Sequence, residues 1–195
     1  MDDIKEKKQE IRDEIIRKIA SYNEKKRVEK LEMLSERLLS FANFQESKIA
    51  FLPSARKDEI DFSTVIWESL KLNKIVVLPS FNIAKKEMIL MKIDDPDTEL
   101  IEGPLENMEP DPNKCKIVPI DSIEIAIIPG LAFDEKGGRI GTGKGFYDQF
   151  IPKLPITARK VTLAFEDQLI QQVPMESHDK YVDIIITEKR IIYKI

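Results

Sequence analysis

The sequence predicts an α/β fold, a mostly parallel sheet covered by helices on both faces. Three observations lead there. Short runs such as Lys74–Leu78 and Ile123–Ile128 are apolar and β-branched without strict alternation, as strands buried on both sides are. Between such runs lie segments whose apolar residues recur at helical spacing, as crossover connections do. A glycine-rich turn follows directly on one strand, at the end of a sheet where folds of this class gather ligands.

The elements follow in order. Asp2–Tyr22 reads as a helix, with Ile4, Ile11, Ile15 and Ile19 near helical spacing. Asn23 suits the cap of a second helix, Glu24–Ala42, with Val28, Leu31, Leu34, Leu38 and Phe41 turned inward. Lys48–Leu52 is a short strand ended by Pro53, and Ser63–Leu72 a helix carrying Val65, Ile66 and Leu70. Lys74–Leu78 is a buried strand ended by Pro79, and Met88–Ile93 a third strand. The stretch Asp94–Pro119 is rich in Pro, Asp and Glu and reads as loop with at most short elements. Ile123–Ile128 is the fourth strand, and Phe146–Leu154 starts as a helix after the glycine turn. Val161–Phe165 and Asp183–Thr187 are strands with a short helix, Asp167–Gln172, between them, and Arg190–Tyr193 suits an edge strand.

The 195 residues are 42% hydrophobic and 34% charged, which suits one soluble domain spanning 1–195 with a full core. A formal net charge of -4 gives no reason to expect a nucleic-acid binder. No apolar run is long enough to span a bilayer, and the charged N-terminus does not read as a signal peptide. Cys115 is the only cysteine, so an internal disulfide and a cysteine-based metal site are excluded, and a cytoplasmic location is expected. No obligate protein partner is evident.

Five of the seven glycines fall between Gly137 and Gly145, and a sixth, Gly130, opens the same segment. Strand end, glycine turn, lysine and helix start together suit an anion: backbone N–H groups approach it closely and the helix start adds partial positive charge. Two familiar motifs do not fit. Gly138 to Lys144 has the spacing of a Walker A loop, but Gly145 stands where that loop needs Ser or Thr for magnesium. The run Gly141, Gly143, Gly145 lacks the spacing and the acidic ribose partner of a dinucleotide fingerprint. Glycine clusters alone are usually turns; Arg139, Lys144, Tyr147 and Asp148 in the same turn favour function.

Pro129-Gly130, Phe133-Asp134, Gly137, Arg139, Gly141, Gly143, Gly145 and Phe146-Tyr147-Asp148 together resemble the signature of the 5-formyltetrahydrofolate cyclo-ligase family, also called methenyltetrahydrofolate synthetase. The resemblance implies a three-layer α/β/α arrangement similar to sugar-phosphate isomerase and CoA-transferase-like folds. It implies conversion of 5-formyltetrahydrofolate to 5,10-methenyltetrahydrofolate with MgATP consumed and ADP and phosphate released.

Each candidate residue has a bland reading beside the functional one. Lys144, between two glycines, suits a point charge on a nucleotide phosphate; otherwise it is one of 31 Lys and Arg on a surface. Arg139 suits a bidentate anion clamp, or a loop ion pair with Asp134 or Glu135. The resemblance places Arg139 in the ATP site and Lys144 and Arg139 at the chemistry. It extends nucleotide contact over Ile140, Gly141, Thr142, Gly143, Gly145, Phe146 and Tyr147, with Thr142 to Phe146 also facing folate. Lys8 and Arg12 share one helix face; alone they read as part of a mixed-charge surface, while the resemblance brings them to the nucleotide.

Asp148 suits magnesium, or simply a first-turn helix position. Asp179 reads as a turn residue, and only the resemblance makes it a magnesium ligand. The resemblance also sets Glu59 against the folate and Leu52 beside it, although core packing is the simpler reading for Leu52. His178 has no partners for a triad or metal cluster in the sequence. Thr142 stands where the family often has Arg, Phe146 where Tyr is common, and Phe62 follows Asp61 in place of the usual Thr. Two alternatives stand beside the cyclo-ligase: another small-molecule ATP-dependent kinase or ligase, and a non-catalytic nucleotide-binding regulator on the same scaffold.

Overall fold

The structure is a computed structural model that describes residues 2–54 and 59–194. Residues 55–58, between the first strand and Glu59, lie outside the described residues. Helices α1 (Asp2–Ala20), α2 (Glu24–Leu39) and α3 (Ala42–Glu46) precede strand β1 (Ile49–Phe51). Helix α4 (Ser63–Lys71) crosses to β2 (Ile75–Asn82), which turns back into β3 (Glu87–Ile93). Then come α5 (Pro96–Glu99), β4 (Leu100–Glu102), β5 (Met108–Pro110) and β6 (Lys116–Ile117). Strand β7 (Ile125–Ile127) leads into β8 (Ala132–Phe133), β9 (Arg139–Ile140) and α6 (Phe146–Phe150). The chain finishes through β10 (Arg159–Leu163), β11 (Ile184–Ile186) and β12 (Ile191–Tyr193).

The main sheet has eight strands in the order β12-β11-β10-β7-β1-β2-β3-β6. The strands β11, β10, β7, β1 and β2 run parallel, and β12, β3 and β6 join through antiparallel pairs at the two sides. Because side chains alternate along a strand, the sheet has two cores. Ala50, Leu52, Val76, Ile125 and Ile127 meet Ile15, Leu34, Leu38, Phe44 and Val65 from the helices α1 to α4. Phe51, Val77, Ala126 and Ile128 face the other way, onto Phe150, Ile151 and Leu154. Each fully buried Val, Leu, Ile or Phe side chain contributes about 1.5–3 kcal/mol, so continuous apolar strands are what a sheet covered on both faces needs.

Most expected elements form, but the short helix expected at Asp167–Gln172 is only a 3-10 turn, Glu166–Gln168. The helix expected over Phe146–Leu154 gives way after Phe150 to a 3-10 turn at Ile151–Lys153, where Pro152 stands. Asn23 caps α2 as predicted, its side chain accepting from the Lys26 N–H at 2.8 Å. That helix stops at Leu39, and Val28, expected inward, is 45% exposed. Strand β2 runs through Pro79 to Asn82 instead of ending there. The Val77 carbonyl accepts from Leu52 on the β1 side, so by alternation Pro79 faces the same side, beyond the end of β1. Its missing N–H therefore leaves no ladder bond unmade. The acidic stretch after β3 holds the β4–β5 hairpin, whose three-residue strands are too short for a hydrophobic period to reveal.

Parallel strand β1 is followed by β2 on one side, while β7 pairs on its other side. The connections thus diverge at β1 and β7. Their carboxyl ends open a crevice, which is where sheets of this kind bind ligands.

Candidate active site

A cleft of about 860 Å³ lies at that crevice. Its floor is the segment Arg139 to Gln149, one wall is α1 with Lys5, Lys8 and Arg12, and Glu176 to Lys180 border it. Ser54, Glu59, Phe81 and Asn107 also line it. That volume suits a drug-sized ligand or larger.

The glycine segment is not a single loop. Its first half is the β8–β9 hairpin, whose turn is organised by Asp134. This buried carboxylate accepts from the N–H groups of Lys136 (3.0 Å), Gly138 (2.9 Å) and Val173 (2.8 Å). The second half, Gly141 to Gly145, forms the cleft floor. Gly143 and Gly145 have φ of 91° and 75°, a left-handed conformation that side chains resist. Helix α6 begins at Phe146 but has only five residues, so its dipole adds little, and the cradle rests on the loop amides and Lys144. Lys144 is exposed and, among the described residues, makes no hydrogen bond or ion pair.

Arg139 is 4% exposed and pairs with neither Asp134 nor Glu135. Its Nη2 donates to Asp148 Oδ1 at 2.6 Å and its Nη1 to the Pro129 carbonyl at 3.1 Å. It lies directly under the loop: a Cβ on Gly141 would sit 2.7 Å from Nη1. Arg12 docks α1 onto the same loop, its Nε donating to the Gly141 carbonyl at 2.8 Å.

Lys8, expected to face the nucleotide, is 6% exposed, and its Nζ contacts Asp179 Oδ2 at 2.5 Å and Glu176 Oε2 at 2.8 Å. Burial opposes the Lys8 charge, but the hydrogen bonds and charges of the two carboxylates outweigh it and hold its pKa above the usual lysine value. Burial likewise opposes the Asp179 charge, and the Lys8 hydrogen bond and the Glu176 N–H outweigh it, so this carboxyl lies below its usual range. The Lys8 hydrogen bond lowers Glu176 in the same way. His178 sits at the rim with its side chain 67% exposed, Nε2 being 3.5 Å from Asp179 Oδ1.

Phe81, Phe146 and Tyr147 form an aromatic wall, with Phe81 and Phe146 edge to face at 5.0 Å and Phe51 and Phe150 beneath Tyr147. Burial, then the Glu59 carboxylate, raises the Tyr147 phenol above its ordinary value, so this hydroxyl stays protonated and Glu59 stands near it. Every candidate residue from the sequence lines the cleft except Leu52, which is fully buried within the core. Sequence reasoning missed Glu176, Phe81 and Asn107. Phe81 lay beyond a proline read as a strand end, and Asn107 in a stretch read as loop.

Carboxylates, a lysine-bearing glycine loop and an aromatic wall at a sheet crevice define an α/β enzyme acting on a small, charged, ring-bearing ligand. The particular family is also clear. The profile of the 5-formyltetrahydrofolate cyclo-ligase family matches residues 4–188, and the chain belongs to that family. A mouse 5-formyltetrahydrofolate cyclo-ligase is 23% identical over 93% of both chains. The solved Aquifex aeolicus 5,10-methenyltetrahydrofolate synthetase superposes with a TM-score of 0.83 at 30% identity, covering 95% of this chain and 92% of that one. The Mycoplasma pneumoniae 5,10-methenyltetrahydrofolate synthetase, at 20% identity and TM-score 0.75, shares the fold over 93% of this chain and 98% of its own.

Proposed function

We propose that this chain is a one-domain, ATP-dependent cyclo-ligase that converts 5-formyltetrahydrofolate to 5,10-methenyltetrahydrofolate in the cleft above β1 and β7. Family membership supports the reaction. The observation that carries the site is the convergence of a lysine unpaired among the described residues, the glycine-loop amides and an aromatic wall on one cavity.

The formyl oxygen of the substrate is a poor leaving group. Attack by that oxygen on the γ-phosphorus forms an O–P bond and breaks the bond to ADP. Folate N10 then attacks the formyl carbon. The C–O bond breaks, phosphate departs with the electron pair, and the N10 proton is lost to phosphate or solvent. Positioning and charge stabilisation suffice for such a transfer, and no nucleophilic side chain is needed.

Lys144 and the amides of Gly141 to Gly145 would hold the phosphates, with Arg139 fixing the loop from below. Tyr147, Phe146 and Phe81 would stack on the pterin, and Glu59 would take its ring N–H groups. Lys8 would act mainly through Asp179. Magnesium fits the donor set: Asp148 uses Oδ1 on Arg139 and keeps Oδ2 for a cation, and Asp179 presents a second carboxylate to the same cleft. When bound, such an ion supplies positive charge to the phosphate oxygens. The test is the absorbance of the methenyl product with purified protein, which should rise only when both 5-formyltetrahydrofolate and MgATP are present. No rise with both present would contradict the assignment.

A further inference from the structure

The β4–β5 hairpin brings a second polar pair to the cleft. Asn107 is 4% exposed and lines the cavity, yet neither its Oδ1 nor its Nδ2 completes a hydrogen bond. Behind it, Glu109 is 3% exposed. Its Oε2 accepts from the Phe81 N–H at 3.0 Å, while Oε1 is left without a partner. Asn107 lies close enough to Glu109 to influence its ionisation, though without completing a well-aligned bond.

Three buried polar atoms that complete no hydrogen bond among the described residues are costly in one corner, and native folds rarely keep them unless something else satisfies them. The corner belongs to the aromatic wall, because Glu109 is bonded to the backbone of Phe81, whose ring meets Phe146. A ring stacked on that wall would present its polar edge to Asn107. A primary carboxamide offers one acceptor and two donors, which complements a ring carbonyl flanked by an N–H. Burial lifts the Glu109 carboxyl above its ordinary value, against the opposing pull of the Phe81 N–H and the Ser80 and Asn107 side chains.

We infer that Asn107 is a substrate-recognition residue, its carboxamide binding the carbonyl-bearing edge of the folate ring. This rests on the folate reading of the cleft. The pairing of Phe81 with Phe146 beside this corner favours a ring at that place.

The test uses Asn107→Leu, close in shape and unable to hydrogen-bond, with calorimetric binding of 5-formyltetrahydrofolate and of MgATP measured separately. Folate affinity should fall at least tenfold while MgATP affinity stays within twofold. The free protein's Tm should hold or rise, because two unsatisfied atoms are removed. Folate affinity within twofold of wild type, or an equal loss for both ligands, would overturn the inference. Should leucine prevent folding, Asn107→Ser gives the same readout with a smaller side chain. Failure of the wild-type protein to bind 5-formyltetrahydrofolate would instead overturn the folate reading itself.

Discussion

Lys8 and Asp179, 171 residues apart in the chain, meet at 2.5 Å and join the first helix to the segment before β11. Glu176 shares the same ammonium at 2.8 Å. The contact closes one side of the cleft and holds Asp179 as a carboxylate. It also explains why a lysine and an aspartate with different expected duties act as one unit.

This pair should show in the pH dependence of stability. Asp179 is depressed below its ordinary 3.8, so its contribution is full above that value and is lost as pH falls through the lower folded value. Lys8 is raised above 10.5, so its contribution is full below 10.5 and is lost as pH climbs through the higher folded value. At neutral pH, Asp179→Asn should cost about 1–3 kcal/mol, since Lys8 retains Glu176. Urea unfolding of both proteins from acid to alkali should show the gap closing at both ends. A gap that does not shrink at all as pH falls below 3.8 would contradict the pairing.

Asp148 has two duties, so its loss should have two effects. Asp148→Asn weakens the partner of a buried guanidinium and should lower stability by about 1–3 kcal/mol. It should also raise the magnesium concentration needed for half-maximal turnover. Thermal unfolding checks the first effect and a magnesium titration of the rate checks the second. An unchanged magnesium curve would remove Asp148 from the metal site and leave it as the support of Arg139.

Lys144 offers the cleaner separation of chemistry from folding. It is exposed and unpaired among the described residues, so Lys144→Ala should leave Tm unchanged. Losing a charge-assisted bond of about 1.5–3 kcal/mol should lower kcat/KM for MgATP at least roughly tenfold. Steady-state kinetics with ATP varied decides it. Normal ATP dependence would reduce the glycine segment to an ordinary turn.

Much of this site was legible because loop glycines, their spacing and the charged residues among them are local features. Gly141 to Asp148 lie together in sequence and in space. Partnerships were not legible. Arg139 chooses Asp148 over the nearer Asp134 because three backbone N–H groups already engage Asp134 in the turn. Glu176 joins Lys8 only through the tertiary fold. Strand β2 overran its predicted end because the Pro79 nitrogen faces the β1 side at a point where β1 has already ended, so no ladder bond is lost. The β4–β5 hairpin escaped notice because three-residue strands carry no period.

The central claim is that the cleft activates the formyl oxygen by phosphorylation before the ring closes. The most direct measurement labels that oxygen. 5-Formyltetrahydrofolate carrying ¹⁸O in the formyl group is converted with unlabelled MgATP, and the released phosphate is analysed by mass spectrometry. Each phosphate released with the methenyl product should carry one ¹⁸O. Unlabelled phosphate, with the ¹⁸O recovered in water, would contradict it.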